Sequence, residues 1–364
     1  MLTERLRSLW DRMKPFHLDW IQVEVSGRCQ GRCAYCPVSV FRDRRRRELM
    51  SRETFQSLLP SFPAAELVFL QGWGEPLLHP DFWILARQAR ETGVQVGFTT
   101  NGVHLDRANR RALLESDVDI LGVSVAGTTS ATHGRYRAGN SLEILDRNLR
   151  ALKEERGKTG ASRPNIHLAY LLLADHVEEL SEIVDLGERW GVREIVVSPL
   201  SLVLTPELER QSLLMRPEDG EPEGKLSRAR VRARELLAEV QARGQEQGIR
   251  IQAPGFGNGE ACSSCNENIL RSCFVSAAGE VSPCVMSNLG LQEGASATHR
   301  FQGKDVPVEK VTWGNVRERP LRDIWLSPSP RRFRKTHRER IWRGARGRQG
   351  LPPPCRHCYK LYEC

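Results

Sequence analysis

Ile21-Gln22-Val23-Glu24-Val25-Ser26-Gly27-Arg28-Cys29-Gln30-Gly31-Arg32-Cys33-Ala34-Tyr35-Cys36 is the stretch on which the reading of this chain turns. Ile21–Val25 predicts a short β-branched strand, and the Gly- and Arg-rich run after it a loop. Three cysteines at i, i+4 and i+7 fall on that loop. A [4Fe–4S] cube ordinarily takes four Cys ligands, so three thiolates so spaced can wrap one and leave its fourth iron open. With ten Cys among 364 residues, such a triplet arises by chance roughly 0.008 times per chain. Zinc fits poorly with three close Cys and no following His.

Outward from this loop the chain alternates. Strands are predicted at Ile21–Val25, Leu67–Gln71, Val94–Thr99, Ile120–Val125, Ile166–Leu173 and Ile195–Ser198. Helices are predicted near Arg52–Leu59, Asp81–Thr92, Leu105–Glu115, Leu142–Arg156 and Val177–Trp190. About thirty residues per unit is the rhythm of parallel βαβ units, compatible with a doubly wound sheet or with part of a (β/α) barrel. After Pro199 the rhythm breaks: Pro217–Lys225 reads as a loop and Leu226–Gln247 as one more charged helix. From Pro254 there is little periodicity, much Gly and Pro, and seven of the ten cysteines. That segment lacks apolar density for a core of its own, so bound metal is expected to organise it. The expected division is 1–20, a helical extension; 21–253, the α/β core; and 254–364, the Cys-rich domain.

Composition narrows the class. With 40% hydrophobic and 27% charged residues, the chain is no disordered protein. No apolar run approaches the ~18 residues of a membrane span, and the charged N-terminus lacks a signal-peptide core, so a cytoplasmic protein is expected. Clustered Cys in that compartment point to metal before disulfides. The net charge of +9 is local. One run holds Arg42, Arg44, Arg45, Arg46 and Arg47, and Arg331–Arg348 carries a single acid, Glu339. Each reads as a solvated face or an anion site; the first, next to the cysteine loop, is expected at an active-site rim facing an acidic substrate.

Cys29, Cys33, Tyr35 and Cys36 resemble the CxxxCxΦC signature of radical S-adenosylmethionine (radical SAM) enzymes. The resemblance implies an α/β fold, a partial (β/α)6 TIM-like barrel, with Cys29, Cys33 and Cys36 as ligands of a [4Fe–4S] cluster whose open iron takes SAM. It implies reductive cleavage of SAM to methionine and a 5′-deoxyadenosyl radical that abstracts a substrate hydrogen. By the same resemblance Tyr35 packs near the adenine. Gly72-Trp73-Gly74-Glu75-Pro76 is similar to the GGEP motif, with Trp73 for its second Gly, and its Gly72, Gly74 and Glu75 meet the SAM ammonium. Asn101, in Thr99-Thr100-Asn101-Gly102, looks like the TNG turn, and Ser124 resembles the ribose contact. Arg137 resembles a SAM-carboxylate arginine, with Arg135 as rival. Each motif follows a strand at its C-terminal end, where parallel α/β folds bind ligands.

Cys265-x13-Gly279-x4-Cys284 and Cys355-x2-Cys358-x5-Cys364 resemble the SPASM extension. This implies a C-terminal, loop-rich domain with one or two auxiliary [4Fe–4S] clusters. Seven Cys serve where two full clusters need eight. The preferred split puts Cys262, Cys265, Cys273 and Cys284 on one cluster and Cys355, Cys358 and Cys364 on the other, with His357 as a candidate non-Cys ligand. The alternative pairs Cys262/Cys265 with Cys355/Cys358 as a zinc ribbon, in a basic nucleic-acid-binding protein. The resemblance favours a peptide or protein substrate, or maturation of a partner enzyme or its cofactor, with a small molecule as alternative. It implies an electron donor such as ferredoxin or flavodoxin. Only about twenty residues precede the first strand, so leader recognition is expected from a separate protein or from the core.

Overall fold

The computed structural model describes residues 16–214, 224–256, 261–345 and 348–363. Most of the expected 1–20 extension, most of the loop expected at 217–225, and Cys364 lie outside them; residues 18–20 already belong to the first strand. In chain order the strands are β1 (Leu18–Val23), the two-residue β2 (Arg32–Cys33), β3 (Ala65–Phe69), β4 (Gln95–Thr100), β5 (Ile120–Val125), the two-residue β6 (Arg137–Ala138), β7 (Asn165–Leu171), β8 (Glu194–Ser198) and β9 (Arg250–Gln252). β1, β3, β4, β5, β7, β8 and β9 lie side by side, all parallel. Parallel strands are covered on both faces and so read as nearly continuous apolar runs. The six strands expected from sequence are β1, β3, β4, β5, β7 and β8, with ends shifted by at most three residues; β9 was not expected. The two ends of the sheet do not pair with each other, so the barrel is partial.

Proline reshapes one predicted helix. The helix begun at Arg52 ends at Gln56, and a 3₁₀ turn over Leu59–Ala64 carries Pro60 and Pro63, which block α-helical bonding. Leu142–Thr159 runs as expected, capped by Ser141, which accepts from the Ile144 N–H, and stopped by Gly160 at φ +66°. No helix among the described residues is long and apolar enough to cross a membrane.

The Cys-rich segment is less independent than expected. β10 (Ser272–Val275) lies parallel beside β1, matching Trp20 to Ser272 and Val23 to Val275. β11 (Glu280–Ser282) continues the sheet, a hairpin of β12 (Thr298–Phe301) and β13 (Lys304–Pro307) stands apart, and β14 (Gly314–Asn315) closes that edge. Val275, Val281, Trp313, Leu321, Ile324 and Trp325 are buried in the barrel's own core. The segment therefore draws its apolar support from the barrel, where metal alone was expected to organise it.

The helix Pro328–Trp342 escaped the sequence reading. Its buried residues, Pro330, Arg334, His337 and Arg340, have helical spacing, but polar groups carry it. The Arg334 guanidinium stacks 3.7 Å over the Trp325 ring and donates to Trp325 O at 3.0 Å. Arg334→Ala is expected to lower stability by about 1–2 kcal/mol through lost stacking and stem packing, read as an earlier urea midpoint at unchanged slope.

Candidate active site

A cavity of about 520 Å³ opens at the C-terminal ends of β1, β3, β4 and β5. Cys29, Cys33, Tyr35, Cys36, Gly72, Gly74, Glu75, Asn101, Ser124 and Arg137 all line it. The structure thus brings together the cluster and cofactor residues expected around the cysteine triplet, while Arg135 stays outside the cavity.

Close backbone approach builds the floor. A Cβ on Gly72 would overlap the Glu24 side chain, and one on Gly74 would overlap Ser26 O. The Glu75 N–H donates to Arg28 O at 2.7 Å, laying this turn flat on the cysteine loop. Trp73 does not disturb the approach. Its backbone N–H donates to Glu24 Oε1 (2.9 Å), its indole Nε1–H donates to Asn288 O (3.0 Å), and its ring packs on a small cluster containing Phe41 and Leu289.

Glu75 is buried and largely engaged. Oε1 accepts from the Thr100 hydroxyl (2.7 Å) and the Leu77 N–H (3.3 Å), and Oε2 accepts from the Asn101 N–H (2.8 Å). Of about four acceptor positions on a carboxylate, one remains. Burial pushes its pKa up, against these donors. Around the thiols, the Gly31 N–H lies 3.3 Å from Cys29 Sγ, and the Asn140 amide 3.4 Å from Cys33 Sγ. Gln30 donates to both Asn101 Oδ1 and Asn140 Oδ1. Asn140 was missed; no motif marks it, only its place just past β6.

β2 and β6 pair antiparallel and set Cys33 opposite Arg137. Arg137 is buried, donates to the Tyr35 hydroxyl at 2.5 Å, and leaves Nε without a partner. Burial opposes its charge, but Tyr35 and Cys33 outweigh burial and hold it protonated. Arg135, the rival, is exposed and paired with Asp175 at 2.8 Å. Burial, then Glu75, pushes Cys29 up to about 12, and burial pushes Cys36 up to about 11. Three thiols with N–H donors beside Cys29 and Cys33 suit a cationic iron group, which they bind as thiolates.

The second cysteine set is regrouped. Cys265, Cys284, Cys355 and Cys358 line one further cavity; burial first, and then neighbouring thiols of the set, raise the pKa of Cys265, Cys355 and Cys358. Two members of the expected split are not with them. Cys273 lies on β10 opposite Ile21, in the barrel core, with Arg334 as its charged neighbour. Cys262 is disulfide-bonded and does not line this cavity. The zinc ribbon expected as the alternative would also need Cys262, which does not line this cavity. Among the described residues no three Cys have their sulfurs all within 4.8 Å of one another. His357 lines the same cavity, its ring 5.5 Å from that of Phe301.

Glu267, Met286 and Lys360 line both cavities. Lys360 is ion-paired to Glu363 (2.9 Å) and Glu267 (3.4 Å); burial opposes its charge, and the two carboxylates prevail. Sequence reading passed over all three because they stand in no motif. The Arg42–Arg47 run, expected at the rim, serves as a strap. Arg45 is 3% exposed, donates to Leu289 O and lies 3.6 Å from Glu24. Arg46 pairs with Glu280 at 2.7 Å, and Arg44 reaches Ser296 O at 3.3 Å.

Comparison with known proteins agrees with this geometry. The profile of the radical SAM superfamily matches residues 23–187, and that of SPASM, an iron-sulfur cluster-binding domain, matches residues 262–359. The chain is 26% identical over 318 residues to a tungsten-containing aldehyde ferredoxin oxidoreductase cofactor-modifying protein of Pyrococcus furiosus, covering 85% of this chain and 81% of that one. It is 26% identical over 178 residues to the mycofactocin maturase MftC of Mycobacterium ulcerans, covering 49% of this chain and under half, 45%, of that one. In structure it resembles Streptococcus suis SuiB bound to S-adenosylmethionine. The TM-score is 0.65 at 14% identity, over 99% of this chain and 74% of SuiB, a likeness of fold.

Proposed function

The chain belongs to the radical SAM superfamily and carries a SPASM iron–sulfur domain, and from that premise we propose that it takes a hydrogen atom from a peptide, a protein, or the cofactor of a partner enzyme. The observation that carries this reading is the convergence of three thiols, Glu75, Asn101, Ser124 and Arg137 on one cavity. When bound, the [4Fe–4S] cluster and SAM supply the reductive cleavage that yields methionine and a 5′-deoxyadenosyl radical.

The chain's own residues hold and aim these groups. Cys29, Cys33 and Cys36 would ligate the cluster, with the Gly31 N–H donating to Cys29 Sγ and the Asn140 amide to Cys33 Sγ. Arg137, held by Tyr35, grips the SAM carboxylate. Glu75 offers its one remaining acceptor position to the ammonium, and Ser124 meets the ribose. Cys265, Cys284, Cys355 and Cys358 hold one auxiliary [4Fe–4S] cluster.

The two substrate classes have separate support. The P. furiosus relative, aligned over most of both chains, is named for modifying an oxidoreductase cofactor. MftC is named a maturase, and SuiB is also known bound to its precursor peptide SuiA. Anaerobically purified, iron-loaded enzyme given dithionite and SAM is expected to release 5′-deoxyadenosine and methionine in equal amounts. Fully loaded enzyme that releases neither would refute the reductive cleavage.

A further inference from the structure

Three hollows lie in series. The reaction cavity shares Glu267, Met286 and Lys360 with the cavity of the Cys265–Cys284–Cys355–Cys358 set. That second cavity shares Phe333 and Leu351 with a surface groove of about 400 Å³, whose other walls include Arg332 and Arg356. A single layer of side chains, Phe333 and Leu351, therefore separates the auxiliary thiols from the outside of the molecule. On its inward side the helix Pro328–Trp342 lines the thiol cavity with Phe333 and His337. Outward it exposes Arg331, Arg332, Lys335 and Arg338 against one acid, Glu339, and it ends at Ile341 and Trp342, the latter 86% exposed.

We propose that this basic face, capped by Trp342, is the docking surface for an acidic one-electron carrier protein that reduces the auxiliary cluster. The inference rests on the reading that the four thiols hold such a cluster. One electron leaves the reduced carrier, which is oxidised, and the cluster behind Phe333 and Leu351 is reduced by one; no bond forms or breaks.

Charge and position together select this occupant. A field of one sign steers an oppositely charged protein to a chosen patch, and electron-transfer encounters need only small interfaces. The exposed indole adds apolar contact at the rim of a patch otherwise held by salt-sensitive attraction. The Arg42–Arg47 run offers no equal, because Arg45 and Arg46 are spent on internal partners.

The test uses anaerobic holoenzyme, wild type and the triple variant Arg332→Glu/Lys335→Glu/Arg338→Glu. An oxidised flavodoxin and an oxidised ferredoxin, both acidic, are titrated by calorimetry at low and high salt. Wild type is expected to bind at least one of them, with affinity falling as salt rises, and the variant at least about tenfold more weakly. Stopped-flow reduction by the reduced carrier is expected to slow in parallel, while dithionite reduces both proteins alike. Equal carrier affinity in variant and wild type overturns the proposal. So does binding of single-stranded RNA, but of neither carrier, to the same face. Iron counted on the same samples keeps the readings apart: wild type lacking auxiliary iron strikes the cluster assignment, whereas indifference to the three charges strikes the docking surface.

Discussion

Cys284→Ala and Cys355→Ala are each expected to lose the same irons, about four per chain, while Cys273→Ala keeps every one. The expectation follows from the regrouping of the thiols. Cys265, Cys284, Cys355 and Cys358 line one cavity, whereas Cys273 faces the core beside β1. Each substitution removes one of the four ligands proposed for the same cluster, so both are expected to release the same irons. The variant lacking Cys29, Cys33 and Cys36 provides the complement: it is expected to lose about four different irons and all SAM cleavage. Iron and acid-labile sulfide per chain, measured without oxygen, decide the matter. Iron lost from Cys273→Ala but kept in Cys355→Ala would restore the grouping expected from sequence order.

Arg137→Ala is expected to weaken SAM binding by roughly thirty-fold or more. Truncating one partner of a buried, charged hydrogen bond costs about 2–5 kcal/mol, and a tenfold change in affinity is about 1.4 kcal/mol. The guanidinium is well placed for that role: buried, protonated, anchored through one nitrogen to Tyr35, and with Nε unengaged. Arg137→Lys is expected to rescue little, since a point charge replaces a planar fork. Tyr35→Phe keeps the ring and removes one hydrogen bond, for an expected loss of about 0.5–1.5 kcal/mol. Equilibrium dialysis of SAM against anaerobic enzyme reads all three, with thermal melts to verify folding. Wild-type affinity in Arg137→Ala would return the carboxylate role to Arg135, despite its salt bridge with Asp175.

What sequence makes legible here follows from where the physics is local. The strands β1, β3, β4, β5, β7 and β8 are readable because both faces are buried, and the cysteine triplet because its ligands share one loop. Glu75 and Asn101 are readable as motif members. The bond from the Asn101 N–H to Glu75, which locks two turns together, depends on a register across strands that no local pattern states. Asn140 reaches Cys33 only because β2 meets β6. The auxiliary thiols were misgrouped for the same reason: proximity in sequence favoured Cys262 and Cys273, while the fold brings Cys355 and Cys358 to Cys265 and Cys284. The helix Pro328–Trp342 was passed over because Arg and His occupy the positions where a core-facing stripe would show Leu.

The pairing of β10 with β1 also sets an order of assembly. As the chain is synthesised, one long edge of β1, the strand leading into the cysteine triplet, stays bare until the C-terminal segment emerges. Bare strand edges invite pairing with other chains, and contacts so distant in sequence form late and slowly. A truncation near residue 253 would make that transient edge permanent. The barrel half of this enzyme is thus a poor candidate for separate expression, and iron delivered before the last strand arrives would meet a loop whose supporting strand is still half paired.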